Sequence, residues 1–235
     1  MKLFLRMAGT WQESTQSGIN IIMNHAVGET VTQGYNEIGG RVMKYYVTAD
    51  IHGFLSLFQE ALKESGYYED NSEKKIIICG VLFDRGEEAE KLQDYILSLM
   101  EKDVVILVKG NHEDCFCDLV TTDTGLPYGH HVHNGTYQTA LDLTGYDTIM
   151  AGIRRFSFAE AGRNTPYYTQ IIPSMLDYYE TEHYIFVHGW IPCYKYKDGR
   201  FKKIPDWRNR GREEWEMARW VNGIHGRRPL PCTGG

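Results

Sequence analysis

Four short apolar runs in this chain end alike, each at a loop that carries a carboxylate, an amide or an imidazole. Tyr45–Ala49 leads into Asp50-Ile51-His52-Gly53. Ile76-Ile77-Ile78-Cys79 leads into Gly80-Val81-Leu82-Phe83-Asp84-Arg85-Gly86. Val104–Val108 precedes Gly110-Asn111-His112-Glu113, and Tyr184–Val187 precedes His188-Gly189. Apolar runs of this length read as buried strands. Two intervening segments repeat apolar residues at helical spacing. Phe54, Leu57, Phe58, Ala61 and Leu62 form one face before a stop at Gly66. Ala89, Leu92, Ile96, Leu99 and Met100 form another within Glu87–Met100. Strands alternating with helices predict parallel pairing through right-handed crossovers. The loops then leave neighbouring strands at their carboxyl ends, where open α/β sheets place ligands.

The residue types in those loops suit metal and phosphate chemistry. Asp50 and His52 lie two apart on an extended strand exit, which points both side chains the same way. A hard oxygen beside an imidazole nitrogen suits Mn²⁺, Fe or Zn²⁺. Asn111 has a carbonyl oxygen that can ligate. The Gly80–Gly86 loop joins an acid, an arginine and two glycines, an arrangement fit to hold a phosphate.

In this order the motifs resemble the calcineurin-like metallophosphoesterases, and most closely their bacterial and phage serine/threonine phosphoprotein phosphatase branch. That family carries D-x-H, G-D-x-x-D-R-G, G-N-H-E, H-G and a final G-H. The first, third and fourth stand intact at Asp50–His52, Gly110–Glu113 and His188–Gly189. In the second, Val81 occupies the place of the first aspartate, while Asp84-Arg85-Gly86 is kept. The final G-H is not found; His225 lies in Gly223-Ile224-His225-Gly226. The resemblance covers roughly residues 43 to 224.

The resemblance implies an α/β fold of two mixed β-sheets packed as a sandwich and flanked by helices. It implies metal ligands at Asp50, His52, Asn111 and His188, holding two divalent ions (Mn, Fe or Zn). It implies His112 as the proton donor to the leaving alkoxide, Asp84 as its orienting partner, and Arg85 and Asn111 as substrate-binding groups. Glu113 is read as fixing its loop. The implied activity is metal-dependent hydrolysis of phosphate monoesters, most closely a serine/threonine protein phosphatase. A dinucleotide polyphosphate hydrolase shares these motifs. Val81 and the missing last histidine imply impaired activity with weakened or mononuclear metal binding. They also leave open a non-catalytic pseudophosphatase that binds phosphorylated partners.

Composition sets further bounds. The 235 residues, 42% hydrophobic and 24% charged, suffice for one well-filled domain. A net charge of −6 gives no reason to expect a nucleic-acid or anionic membrane partner. From Asp198 to Arg228, nine Lys/Arg face five Asp/Glu, either a solvated face or a basic rim for phosphorylated substrates. Cys79, Cys115, Cys117, Cys193 and Cys232 show no framework spacing, so reduced thiols and a cytoplasmic protein are expected. No apolar run reaches membrane-spanning length, and Met1–Arg6 is too short for a signal peptide.

The chain divides into an atypical N-terminal extension (1–42), a metallophosphoesterase domain (43–224) and a non-family tail (225–235). The polar composition of the extension favours a weakly packed appendage over an added hairpin. The tail suggests a truncated or frameshifted end, with an exposed edge or apolar face expected on the sheet holding Tyr184–Val187. Thr121–Gly145 reads as a loop-rich, substrate-facing cap containing one helix, about Thr136–Leu143. Its His130, His131 and His133 lack a complementary carboxylate or cysteine pattern, and a metal reading ranks below the cap. Arg154 or Arg155 is a candidate phosphate clamp. Helices are also expected near Ser174–Thr181 and Glu213–Val221, the latter anchored by Trp215 and Trp220.

Overall fold

In the computed structural model the described residues are 3–6, 32–38, 41–195 and 201–221. In chain order, β1 (Leu3–Arg6), β2 (Thr32–Ile38) and β3 (Arg41–Thr48) precede α1 (Leu55–Glu64). Then come β4 (Lys74–Cys79), α2 (Ala89–Glu101), β5 (Val105–Val108) and α3 (Asn111–Thr121). A helical run follows: α4 (Gly129–Asn134), α5 (Thr136–Thr144), α6 (Thr148–Ile153), α7 (Arg155–Arg163) and α8 (Ile172–Ser174). The chain continues through β6 (Tyr179–Glu180), β7 (Tyr184–Val187), β8 (Cys193–Lys195), β9 (Phe201–Lys203) and α9 (Arg212–Arg219).

One sheet has the order β2-β3-β4-β5, the second β1-β7-β6, and β8 pairs with β9. The first is mixed: β3, β4 and β5 run parallel, and β2 joins β3 antiparallel. The second is also mixed, with β1 parallel and β6 antiparallel to β7.

Alternation along the strands builds the layers. Tyr46, Ile76, Ile78 and Leu107 face helices through Phe58, Leu62, Leu92, Ile96 and Phe116. The intervening residues Tyr45, Val47, Ile77, Cys79 and Val108 meet Phe186 of the second sheet. On the other side of β7, Ile185 and Val187 pack on Ile204, Trp207, Trp215 and Ala218. The result is the expected pair of mixed sheets with helices outside.

Several local expectations are corrected. On α1 the buried face is Leu55, Phe58 and Leu62, while Leu57 is exposed. Trp215 is buried as an anchor of α9, but Trp220 is exposed. Thr121–Gly145 is more helical than expected, holding α4 as well as α5. Beyond Ser174, where α8 ends, residues 175–181 do not form the expected helix. Leu176 instead bonds to the open side of β5, its N–H to Leu107 O (2.9 Å) and its C=O from Lys109 N–H (2.8 Å), and β6 follows. Strand β7 is paired on both sides and covered on both faces, so the expected open edge or apolar face is not seen there. Within the first 42 residues, β1 and β2 are strands of these two sheets. The expected lack of structure from about Gly223 onward lies outside the described residues.

Candidate active site

The loops leaving β3 and β4 run side by side. Asp50, His52 and Gly53 donate backbone N–H groups to Gly80, Val81 and Leu82, at 3.1, 3.1 and 2.8 Å. The loops after β4 and β5 meet just as closely. A Cβ on Gly80 would fall 2.6 Å from Gly110 Cα and 2.9 Å from His188 Nδ1, so only glycine leaves room for that histidine. Glu113, fully buried, ties these two loops together. Its carboxylate accepts from the N–H groups of Val81 (3.0 Å), Leu82 (2.9 Å) and Gly110 (2.7 Å), and from the Tyr167 hydroxyl (3.2 Å). That geometry serves loop fixing.

Backbone strain gathers here. Of six described non-glycine residues with positive φ, Asp50, His52, Val81, Asp84 and Arg85 lie in these loops; the other is Asp103. Such conformations persist where the surroundings enforce them, and they correct the expectation of an extended exit at Asp50–His52: both residues are left-handed, at φ 56° and 52°. Val81 is the sharpest case, because a β-branched side chain is poorly suited to φ 55°. Val81 is buried yet belongs to none of the three apolar clusters.

Two groups of side chains assemble in this frame. The first centres on Asp50, His52, Asn111 and His188. Asp50 Oδ1 lies 3.7 Å from His188 Nδ1, too far for a hydrogen bond, and is buried with no hydrogen-bond partner. His52 Nδ1 is likewise buried without a partner. Burial, then the Arg85 charge, holds the His52 pKa down to about 4, so the ring is neutral at pH 7. Burial also raises the Asp50 pKa. His188 Nδ1–H donates to Cys79 O at 2.9 Å, leaving Nε2 unprotonated in the neutral ring. Nε2 lies 2.9 Å from Asn111 Oδ1, so these two ligand-type atoms face the same point. Clustered oxygen and nitrogen donors of this kind, two of them buried without a partner, fit divalent cations. The fit holds for the Asp50–His52 half and for the Asn111–His188 half. Val81, on the loop between them, has no donor atom in its side chain.

The second group is the pair Asp84–His112. His112 Nδ1 stands 2.6 Å from Asp84 Oδ2, and both residues are buried. The His112 ring meets His52 edge-on, with centroids 5.1 Å apart. The other Asp84 contacts come from Thr136 and Thr139 on α5, which were not picked out from sequence. Their signal was available: two hydroxyls at i and i+3 on one helix face, just after a glycine. Arg85 is exposed beside this pair. Arg154 and Arg155 are exposed at the α6–α7 junction, with the Arg155 guanidinium 4.9 Å from the Phe156 ring centroid.

A third cluster lies outside these loops. Donor atoms of Asp118, His130 and His131 all fall within 4.8 Å of one another, so α3 supplies a carboxylate near the histidines that sequence spacing did not reveal. Tyr128 N–H donates to His131 Nδ1 at 3.0 Å, so the neutral ring keeps its proton on Nε2, the atom 2.9 Å from Asp118 Oδ2. A protonated nitrogen does not ligate, and the contact reads as polar packing between α3 and α4. In the basic C-terminal region, Arg208 pairs with Glu180, Arg212 with Glu216, and Arg219 with Asp114 and Asp177. These described arginines are engaged within the fold.

The sequence profile of the calcineurin-like phosphoesterases matches residues 43–230, most of the chain. The chain belongs to the calcineurin-like phosphoesterase family. Members of this family generally use divalent metal ions. Over 78 residues the chain is 32% identical to a bis(5'-nucleosyl)-tetraphosphatase (asymmetrical), PrpE, of Anoxybacillus flavithermus. The match covers 31% of this chain and 32% of that protein, about a third of each. Two solved structures show a looser likeness. A cold-active protein tyrosine phosphatase aligns with TM-score 0.39 at 14% identity, covering 76% of this chain and 61% of the other. A point mutant of such an enzyme aligns with TM-score 0.34 at 13% identity, covering 76% and 62%. Scores this low do not define a shared fold. Among the described residues no helix is long and apolar enough to cross a membrane.

Proposed function

We propose that this phosphoesterase hydrolyses small phosphoesters, with His112 as general acid and Asp84 as the group that orients it. The observation that carries this reading is the 2.6 Å contact between buried Asp84 and His112 beside Asp50, His52, Asn111 and His188, of which Asp50 Oδ1 and His52 Nδ1 are buried without a hydrogen-bond partner. With its Nδ1–H directed at Asp84, His112 has Nε2 available to give a proton to the leaving oxygen as the P–O bond breaks. Arg85 supplies a fork of donors to the phosphoryl oxygens. Asn111 adds a donor to the substrate through its amide. Asp50, His52, Asn111 and His188 would hold the divalent ions, for which Mn²⁺, Fe or Zn²⁺ suits the donor set. Such ions, when bound, neutralise phosphate charge and make the attacking water more acidic.

Similarity to a bis(5'-nucleosyl)-tetraphosphatase supports dinucleotide polyphosphates as a substrate class. Phosphoserine and phosphothreonine proteins are the second class proposed from the motifs. The described cysteines Cys79, Cys115, Cys117 and Cys193 are free thiols, in keeping with a proposed cytoplasmic location.

Leaving-group chemistry separates these readings. An alkoxide needs a proton as it leaves; a phosphate or an aryl oxide needs it far less. His112→Asn is therefore expected to slow hydrolysis of a phosphoserine peptide by roughly 10²–10⁴-fold. Its effect on an aryl phosphate or a dinucleotide tetraphosphate should be much smaller. An unchanged rate on the peptide would remove His112 from the role of acid. Val81 favours one further reading, a pseudophosphatase; its mark would be phosphopeptide binding without release of phosphate from any of the three substrates.

A further inference from the structure

We propose that Thr136 and Thr139, on the first turns of α5, are positioning residues that aim the Asp84–His112 pair, an inference that rests on the hydrolase reading above. Asp84 Oδ2 is shared between His112 Nδ1 and the Thr136 hydroxyl, each at 2.6 Å. Asp84 Oδ1 accepts from the Thr139 hydroxyl at 2.8 Å. The same Thr139 oxygen accepts the Asp84 backbone N–H at 3.1 Å, so one hydroxyl fixes both the main chain and the carboxylate. Thr136 is 0% and Thr139 3% exposed, and water cannot readily replace either contact.

The loop needs such a hold. Asp84 and Arg85 have φ of 74° and 76°, two consecutive left-handed residues without a glycine. A carboxylate this buried is stable only when its lone pairs are occupied. Helix α5 rests directly on the loop: a Cβ on Gly135, itself at φ 90°, would fall 2.7 Å from Arg85 N. The hydroxyls are therefore held with little slack, and α5 is anchored in turn by buried Ala140 and Leu141. Without Thr136 and Thr139 the carboxylate is free to rotate about its side-chain bonds. The His112 ring would turn with it, and Nε2 would lose its aim at the leaving oxygen. Thr136 and Thr139 thus act through Asp84, without touching substrate.

The hydroxyl, rather than the shape of threonine, is what the proposal requires, so valine and serine separate the two. In the full chain, NMR of the His112 Nδ1–H proton reads the Asp84 contact without turnover or added metal; its assignment comes from its loss in His112→Asn. Wild type, Thr136→Ser and Thr139→Ser are expected to share a far-downfield, slowly exchanging signal. Thr136→Val and Thr139→Val, with melting curves showing a folded chain, are expected to move that signal upfield or broaden it. In the valine variants kcat for a phosphoserine peptide should fall about ten- to a hundredfold with KM held, as for small misplacements of a reacting group. In an Asp84→Asn background the valine changes should add nothing, since the partner they position is gone. Folded valine variants that keep both signal and kcat would overturn the proposal. If a valine variant does not fold, the serine variants decide: retained signal supports the clamp, and a signal lost despite the hydroxyl overturns it. Absence of turnover on every phosphoester would count against the hydrolase reading alone, because the signal still tests the clamp.

Discussion

The Glu113 carboxylate accepts from three backbone N–H groups on two loops and from the Tyr167 hydroxyl, all inside the protein. Its removal would strand several buried donors at once, each costing roughly 1–3 kcal/mol. Glu113→Ala is thus expected to lower stability by at least about 3 kcal/mol, read as a shift in the urea midpoint. A shift of a few tenths would mean that the loops hold together without it. At this scale the sequence was informative where motif and chemistry coincide. Asp50, His52, Asp84, Asn111, His112 and His188 all fall at strand exits within the two groups described. Thr136 and Thr139 gave only a weak signal, two hydroxyls three apart after a glycine, because threonine is commonplace on a helix; the three-dimensional meeting with Asp84 is what distinguishes them. The left-handed backbone at Val81 was invisible, since φ is set by the loop pairing rather than by the residue itself.

Among the elements, β7 joins the layers. Phe186 faces the other sheet, and its neighbours Ile185 and Val187 face Trp207 and Trp215. Phe186→Ala would empty the seam between sheets and is expected to cost about 3–5 kcal/mol in a denaturant titration. A cost below about 1 kcal/mol would show that the seam collapses around the gap. Strands β3, β4 and β5 and helices α2 and α5 were legible because local periodicity and burial agree. Residues 175–181 were misread because their backbone is completed by β5, almost seventy positions away by the Val108–Leu176 bridge, a partner no local pattern reveals. The same holds for β1, whose place beside β7 depends on pairing between distant parts of the chain.

Across the whole molecule, parallel β3, β4 and β5 bring three loops to one end, and β7 delivers His188 to the same place. The resulting site has two halves with ligand character, Asp50–His52 and Asn111–His188, and a valine on the loop between them. Aspartate at position 81 would tolerate φ 55° better than valine and would add an oxygen donor on that loop. The deciding measurement is a calorimetric titration of Mn²⁺ into chelator-treated wild type and Val81→Asp, with phosphate release from an aryl phosphate followed in parallel. Val81→Asp is expected to bind Mn²⁺ more tightly, at higher stoichiometry, and to release phosphate faster. Equal affinity, stoichiometry and turnover in the two proteins would contradict a site interrupted at Val81.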